Sequence, residues 1–525
     1  MRPAPMHPDR LPALLQRLDR HGERLRQKSL RLSRFRLITA LVGLGVSLTL
    51  GRAVGPQAGW LAALLFTVVF SVLVRIHDRV AQAQRKLAVW RTIQARHLAR
   101  LHLDWDALGP PPLAPPAGHA FAADLDIAGP RSLLHLLDTP GTTGGRARLR
   151  GWCLAETPDP HAAALRQRRV RALVSRPRVR DRIALLAHLA RRSVDARWDD
   201  RAVHAWLEAP PPDPSLTRWA VVLVSLAVLT PILVAVALTG GPSLWAFSLG
   251  AYIVLYLNIF GRFKYALDRA YDLQRGLSHV APMLLFAERD GARLDPTLAD
   301  VWAPLAGDAA PSAHLKRLDR IASAAAITRN DIARGVLNLL LPYDLLFAIV
   351  LSRLRTELAA RLPPWLDALY EIEALAALAA AHHLRPRATT FPTLLAPEAS
   401  GGSARALSAD ATRAQHAVPL QGVALLEARD LRHPLLPLAD ARGNDVTLGP
   451  GEVVVVTGSN MSGKSTFLRA VGLASVLAWA GGPVWAASVS VCPLRPFASM
   501  RIGDVLQEGL STFYAEVRRL KALLD

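Results

Sequence analysis

Two pairs of apolar runs stand out from an otherwise polar, Arg-rich chain. Residues 37–51 (LITALVGLGVSLTLG) and 60–74 (WLAALLFTVVFSVLV) carry no polar face and flank the turn-like stretch RAVGPQAG at 52–59. Each run is shorter than the ~20 residues a spanning helix needs, and extension into the flanks brings both into range. The pattern predicts a membrane hairpin over 37–75, because a soluble hairpin keeps a polar face. The second pair, 219–241 and 243–261, is longer and nearly free of charge, with Gly240, Gly241 and Pro242 at its turn. It predicts a second hairpin over 218–262, where Pro231 is tolerated because neighbouring helices re-satisfy the freed carbonyl.

Elsewhere the period changes. Residues 1–36 read as a basic arm with a short amphipathic helix, and 76–217 as a cytosolic helical segment. That segment opens helical at 79–101, passes the Pro-rich linker LGPPPLAPPAGHA at 108–120, and continues as an Arg-studded helix over 176–198. The basic face of that helix suits either phosphate or plain solvent near a bilayer. GTTGG at 141–145 lacks a Lys and reads as a flexible turn. From 263 to 400 Leu and Ala recur at helical spacing. Within that region 336–351 is apolar, yet Pro342 and Asp344 interrupt it and SRLRTEL follows, which predicts a buried helix of a soluble bundle. His382 and His383 are adjacent, point apart on a helix, and have no evident metal-ligand partners. Near 400 a linker begins, and 421–525 reads as short strands and turns around one helix. This is the clearest domain boundary in the chain.

Charge then fixes an orientation. Lys and Arg total 63 against 42 Asp and Glu, a net charge of +21. Arg34, Arg36, Arg75 and Arg79 flank the first hairpin, Arg218, Arg262 and Lys264 the second, and Arg52 alone lies in an inter-helix turn. The positive-inside rule places both termini and the middle segment in the cytosol and the protein in the inner (cytoplasmic) membrane, multi-pass, against membrane lipids. A hydrophobic fraction of 51% agrees. The same charge fits DNA as a partner. Cys153 and Cys492 are too few and too far apart for a disulfide framework.

The chemistry is concentrated in GSNMSGKS, residues 458–465, a complete G-x-x-x-x-G-K-[ST] pattern between the apolar EVVVVT (452–457) and a helical stretch from 465. Strand, turn and helix N-terminus form the context that a phosphate loop needs. Gly458 and Gly463 let the backbone curl so that amides from Ser459 to Ser465, through Asn460, Met461 and Ser462, face phosphate oxygens. Lys464 would meet the β and γ phosphates, Ser465 would ligate Mg2+, and Thr466 follows in the first helical turn. The implied cofactors are ATP and Mg2+. Hydrolysis also needs an acidic strand end, and after the loop only Asp504, Glu508, Glu516 and Asp525 are acidic. Asp525 falls in a helical pattern with Phe513, Val517, Leu520 and Leu524, so no catalytic carboxylate is assigned.

TGSNMSGKSTFLRAVGL, followed by AWAGGPVWAASVSVCPLRPFASMRIGDVLQEGLSTFYAEV, resembles the ATPase domain of the MutS mismatch-repair superfamily. The resemblance covers 421–525 and extends more weakly to a core-like helical region from about 315, where WLDALYEIEALAALAA is similar to the helices leading into that ATPase. LRHP at 431–434 and Asn444-Asp445 are similar to the family's strand-end and turn motifs. The resemblance implies Asn460 and Lys464 to Thr466 on phosphate and metal in cis, and Ser511, with Thr512 and Phe513, on a partner's nucleotide in a homodimer. Ser459 and Ser462 replace the family's usual Pro and Gly, and its mismatch-reading Phe-x-Glu domain is absent. Two hairpins stand in its place, so the chain resembles the membrane-associated MutS-like branch. The family's acidic strand and switch His fall beyond Asp525.

The expected fold class is therefore multidomain: two membrane helical hairpins, a helical core or lever-like region, and an incomplete α/β P-loop ATPase domain. The expected function is a membrane-anchored MutS-like ATP-binding protein, a DNA-related ATPase working as a dimer. A non-hydrolysing membrane scaffold is the alternative. An ATP-binding-cassette transporter is a further one, although no LSGGQ-like signature is visible.

Overall fold

The computed structural model describes residues 8–111, 114–116, 118–191, 215–291, 296–307, 310–326, 331–396, 405–406, 424–500, 517 and 521. Among these the chain is mostly helical with one small mixed sheet. It divides into two compact units. Unit 1 comprises Met1–Thr139, Arg150–Leu189 and Ala376–Asp525, and unit 2 comprises Pro140–Leu149 and Ala190–Leu375.

Unit 1 begins with a long antiparallel hairpin of α1 (Leu11–Ala53) and α2 (Pro56–His102). Gly55, at φ 132°, makes the turn, and Pro56 starts α2, where a missing N–H costs nothing. The helices touch through small residues: a Cβ added at Gly59 would lie 2.9 Å from the Gly51 Cα and from the Ser47 carbonyl oxygen. Leu41, Leu44, Trp60, Leu61 and Leu64 are exposed, the reverse of a soluble hairpin. The hydroxyls of Ser47, Thr67 and Ser71 donate to carbonyls four residues back, which satisfies them without water. The basic arm is not a separate element, because α1 runs unbroken from Leu11 through the first apolar run. Asp19 and Arg91 bridge the hairpin at 2.5 Å beyond its apolar part.

Residues 76–139 and 150–189 of the middle segment fold into the same unit as the C-terminal sheet. Short helices α3 (Trp105–Leu108) and α4 (Leu133–Leu137) bracket a turn-rich stretch whose Phe121, Ala122, Leu125 and Ile127 are fully buried. Helices α5 (Thr143–Cys153), α6 (Pro160–Val174) and α7 (Pro177–Arg191) follow. Arginines tie these pieces together through helix-end carbonyls. Arg100 Nε donates to the Leu136 carbonyl at 2.9 Å and Nη2 to that of Asp138 at 2.5 Å. Arg385 Nη2 donates to the carbonyls of Arg100 and Leu101 at 3.1 and 2.9 Å. Arg180, on the helix read from sequence as a basic face, is buried beside Asp181 at 3.3 Å. Cys153 and Cys492 are free and buried, and burial pushes the Cys153 thiol up to about 12.

Unit 2 holds α8 (Ser215–Leu238) and α9 (Trp245–Gly291). Together with α1 and α2, α8 completes three helices long and apolar enough to cross a membrane, and Trp245–Gly261 is a shorter apolar stretch. Then come α10 (Ala299–Trp302), α11 (Pro311–Ala326), α12 (Asp331–Leu340) and α13 (Tyr343–Leu384). Leu216, Ala220, Leu223, Tyr252, Ile259, Leu345 and Ala348 form its core.

Two expectations for this unit are corrected. GTTGG is not a loose turn: it opens α5, and the buried Glu373 carboxylate accepts the Gly141 and Thr142 N–H groups at 2.9 and 3.3 Å together with the Thr142 hydroxyl. Residues 336–351 are not one buried helix. The chain breaks at Leu341-Pro342, where the two helices meet at 91°, and Val336, Leu339, Leu340, Leu341 and Val350 are exposed. Pro342 lacks an N–H and disfavours helical geometry at its predecessor, which favours a break there.

The sheet, in unit 1, has the order β2-β1-β5-β3-β4, with β1 (Thr393–Ala396), β2 (Arg405–Ala406), β3 (Leu426–Leu431), β4 (Asn444–Leu448) and β5 (Ser488–Val491). The β1/β5 pair is parallel; the other pairs are antiparallel. The strand expected at 452–457 is absent from it. That stretch has no paired neighbour among the described residues, and Val453 and Val455 are 84% and 77% exposed. A run apolar on both faces needs strands on both sides to become an inner strand, and the five described strands pair without it. Helix α14 (Lys464–Trp479) follows as the sequence predicts.

Gly59→Leu should force the first hairpin apart and lower its stability by about 1–3 kcal/mol, as overpacking does. Thermal unfolding of the full chain in detergent reads this, with Gly45→Leu as the control, since a Cβ at Gly45 meets nothing within 4 Å.

Candidate phosphate-binding loop

Residues 458–463 form a non-helical turn that delivers the chain into α14. Its curl depends on left-handed backbone at Gly463, φ 95°, and on an extreme positive φ of 153° at Gly458. Met461 also adopts the left-handed region, at φ 65°, and its side chain is fully exposed. Gly463 is the N-cap residue and supplies no side-chain acceptor, so the first N–H groups of α14 lack a side-chain cap. The Ser462 N–H donates to the Ser459 carbonyl at 3.3 Å, which holds the turn closed. Lys464 folds back over it: Nζ donates to the carbonyls of Gly458 at 2.8 Å and Ser459 at 2.7 Å.

Asn460, Ser462 and Ser465 are exposed, while Lys464 and Thr466 are half-buried, so the expected cis residues 458–466 come together in one accessible turn. Ser511 lies outside the described residues. Among the described residues no cluster of three or more His, Cys, Asp or Glu groups could hold a metal.

What fixes the loop in place was not evident from its sequence. Beyond Arg469 the helix is buried from Leu473 to Trp479. Arg469 Nε donates to the Asp124 carbonyl at 2.9 Å, and Nη1 pairs with the Asp126 carboxylate at 3.3 Å. At the helix C-terminus Arg166 Nη2 donates to the Trp479 carbonyl at 2.6 Å. A Cβ at Gly472 would collide with the Leu125 side chain, so the helix lies close on the 121–127 turn. Asp124 Oδ1 also accepts the Met500 N–H at 3.1 Å. These partners are more than 300 residues apart in sequence, and no local signal marks them.

The two flanking motifs meet on the β3/β4 hairpin. Asp445 Oδ1 accepts the Asp430 N–H at 2.8 Å, Arg432 Nε donates to Asp430 Oδ1 at 3.1 Å, and the Arg432 N–H donates to the Trp485 carbonyl at 2.8 Å. His433 is buried. Desolvation, with the Arg469 guanidinium adding repulsion, pushes its imidazole down to about 4, so it is neutral at pH 7.

Residues 454–525 match the sequence family of MutS domain V. Over 122 residues the chain is 36% identical to an endonuclease MutS2 of Maridesulfovibrio salexigens, covering 22% of this chain and 16% of that protein. It is 42% identical over 108 residues to the DNA mismatch repair protein MutS of Azorhizobium caulinodans, 18% of this chain and 12% of the relative. With the MutS of Symbiobacterium thermophilum the identity is 37% over 112 residues, 20% and 13% of the two chains. The chain thus spans only a small fraction, 12% to 16%, of the length of these relatives. The loop, its helix and the strand that follows lie within or beside the matched region, and in that C-terminal part the chain is MutS-like, carrying the family's domain V.

Proposed function

We propose that this chain is a membrane-anchored, MutS-like protein that binds Mg-ATP at residues 458–466 and works as a dimer. The observation that carries the reading is the uncapped start of α14 behind a glycine turn, with the Lys464 ammonium already drawn to that turn. A helix N-terminus of this kind concentrates partial positive charge and free N–H donors, the complement of a phosphate. Amides from Ser459 to Ser465 would hold the phosphates, Lys464 would exchange the Gly458 and Ser459 carbonyls for the β and γ oxygens, and Ser465 would ligate Mg2+. The Ser511 region of a second copy would complete this nucleotide site across a dimer. Anchoring Arg469 on Asp124 and Asp126 keeps the loop's supporting helix rigid, as preorganised binding requires.

Membrane anchoring is supported by the exposed apolar faces of the α1/α2 and α8/α9 hairpins. A DNA-related role is supported by the names of the mismatch-repair relatives and by the net charge of +21. Some of that charge is internal, since Arg100, Arg180 and Arg385 are buried.

Removing the charged hydrogen bonds of Lys464 should cost about 1.5–3 kcal/mol, roughly 10- to 100-fold in affinity. Nucleotide titration of the full chain and of Lys464→Ala in nanodiscs measures it, and equal affinities would sink the assignment. The full chain should stay with membranes through alkaline carbonate and leave them only in detergent; release by carbonate would dispose of the anchor. Duplex DNA binding should weaken steeply as salt rises, by counterion release. A salt-insensitive or absent interaction would remove DNA from the reading.

A further inference from the structure

The break between α12 and α13 sorts its side chains in the reverse of a water-soluble bundle. Val336, Leu339, Leu340, Leu341, Leu346 and Val350 are exposed, Leu340 at 63%. Two polar residues of the same stretch, Asn338 and Asp344, are buried and satisfied there, with the half-exposed Arg334 at the edge. Arg334 Nε donates to Asp344 Oδ2 at 2.7 Å, the Asp344 N–H donates to Asn338 Oδ1 at 3.0 Å, and Asn338 Nδ2 donates to the Arg334 carbonyl at 3.0 Å. From α9, the Tyr256 hydroxyl lies 3.5 Å from Asp344 Oδ2, and the Tyr252 hydroxyl donates to the Asn338 carbonyl. Leu345 and Ala348 complete the seam by packing with Leu216, Leu223 and Tyr252.

Water would be expected on the polar side of such an element, and here the polar side is buried against an apolar hairpin. Hydrocarbon resolves the pattern, because in lipid buried polar groups pair with one another and apolar groups face out. The dimensions choose the depth. The six residues of α12 beyond Arg334, 335–340, span about 9 Å, less than a third of a ~30 Å hydrocarbon core, and the chain then turns by 91°. Charge chooses the side: Arg334 precedes the apolar tip, and Arg353 and Arg355 follow it within a turn or so, a cationic flank at both ends.

We propose that α12 and the first two turns of α13 form a re-entrant wedge in the inner leaflet. Lipid tails cover its outer face, and the Arg334, Asp344 and Tyr256 cluster locks it to the α8/α9 hairpin. The exposed faces of hairpin and wedge belong to one packed body, and therefore one lipid phase covers both. The wedge rests on the reading of that hairpin as membrane-spanning.

Single-cysteine variants of the full chain, probed with a membrane-impermeant charged maleimide on inverted inner-membrane vesicles, test it. The background is Cys153→Ala, Cys492→Ala, which removes both buried native thiols and serves as the blank before and after SDS. Leu340→Cys and Val228→Cys should resist labelling until the vesicles are dissolved in SDS, while Lys316→Cys and Thr356→Cys should label completely from the cytosolic face. Labelling of Leu340→Cys as fast as Lys316→Cys, with Val228→Cys still protected, overturns the wedge and leaves the spanning hairpin standing. Labelling of both Leu340→Cys and Val228→Cys overturns the membrane reading and the wedge with it. Thr356→Cys labelled only from the opposite face means a full crossing, and protection of Leu340→Cys lost on dilution into excess lipid means a second copy; either outcome overturns the wedge.

Discussion

Arginine donation to main-chain carbonyls is the interaction on which unit 1 depends. The last carbonyls of a helix have no partner within it, and when a helix end is buried something must supply donors. Here the guanidinium groups do so. Arg385 serves the end of α2, Arg100 the end of α4, Arg166 the end of α14, and Arg469 the Asp124 turn. Each guanidinium brings several donors in a rigid fork and stays charged, so one side chain can hold two carbonyls of another element. Segments hundreds of residues apart are thereby joined without a disulfide. The arrangement also accounts for part of an unusual composition: an Arg-rich chain is using some of its cations as internal struts.

The glycine turn at 458–463, the candidate phosphate loop, sits at the end of this framework. α14 is held at its C-terminus by Arg166 and in its middle by Arg469, while its first turn is left accessible. Burial of one half of a helix fixes the direction of the other half, and so fixes where its N–H groups aim. His433 is part of the same support. Kept neutral chiefly by burial, it adds no second positive charge to that of Arg469.

Local patterns were legible in the sequence, and long-range ones were not. The apolar runs, their turns and the 458–465 motif are each confined to a few adjacent residues, and α1, α2, α8 and α14 follow them. The misreadings share a cause. Val453 to Thr457 have the composition of an inner strand, but strand formation is decided by neighbours that composition does not name. Pro342 and Asp344 read in the sequence as marks of a soluble bundle, whereas Asp344 is met by Arg334 and Asn338 nearby and by the Tyr256 hydroxyl of α9, 88 residues away in sequence. GTTGG has the residues of a loose turn, and a single buried carboxylate from Glu373 orders it. Arg469 and Asp126 were invisible for the same reason, being a pair only once the chain has folded.

The posture of Lys464 has a kinetic consequence. Its ammonium is satisfied by two carbonyls of its own loop, so under the proposed function the chain carries its own competitor, present at a concentration that dilution never lowers. A phosphate ligand meets a receptive cation only in the fraction of molecules that have let those carbonyls go, and its apparent dissociation constant is the intrinsic one divided by that fraction. Anything that pulls Gly458 and Ser459 away from Lys464, including tension along the extended stretch before them, would act as a throttle on capture without touching the ligand.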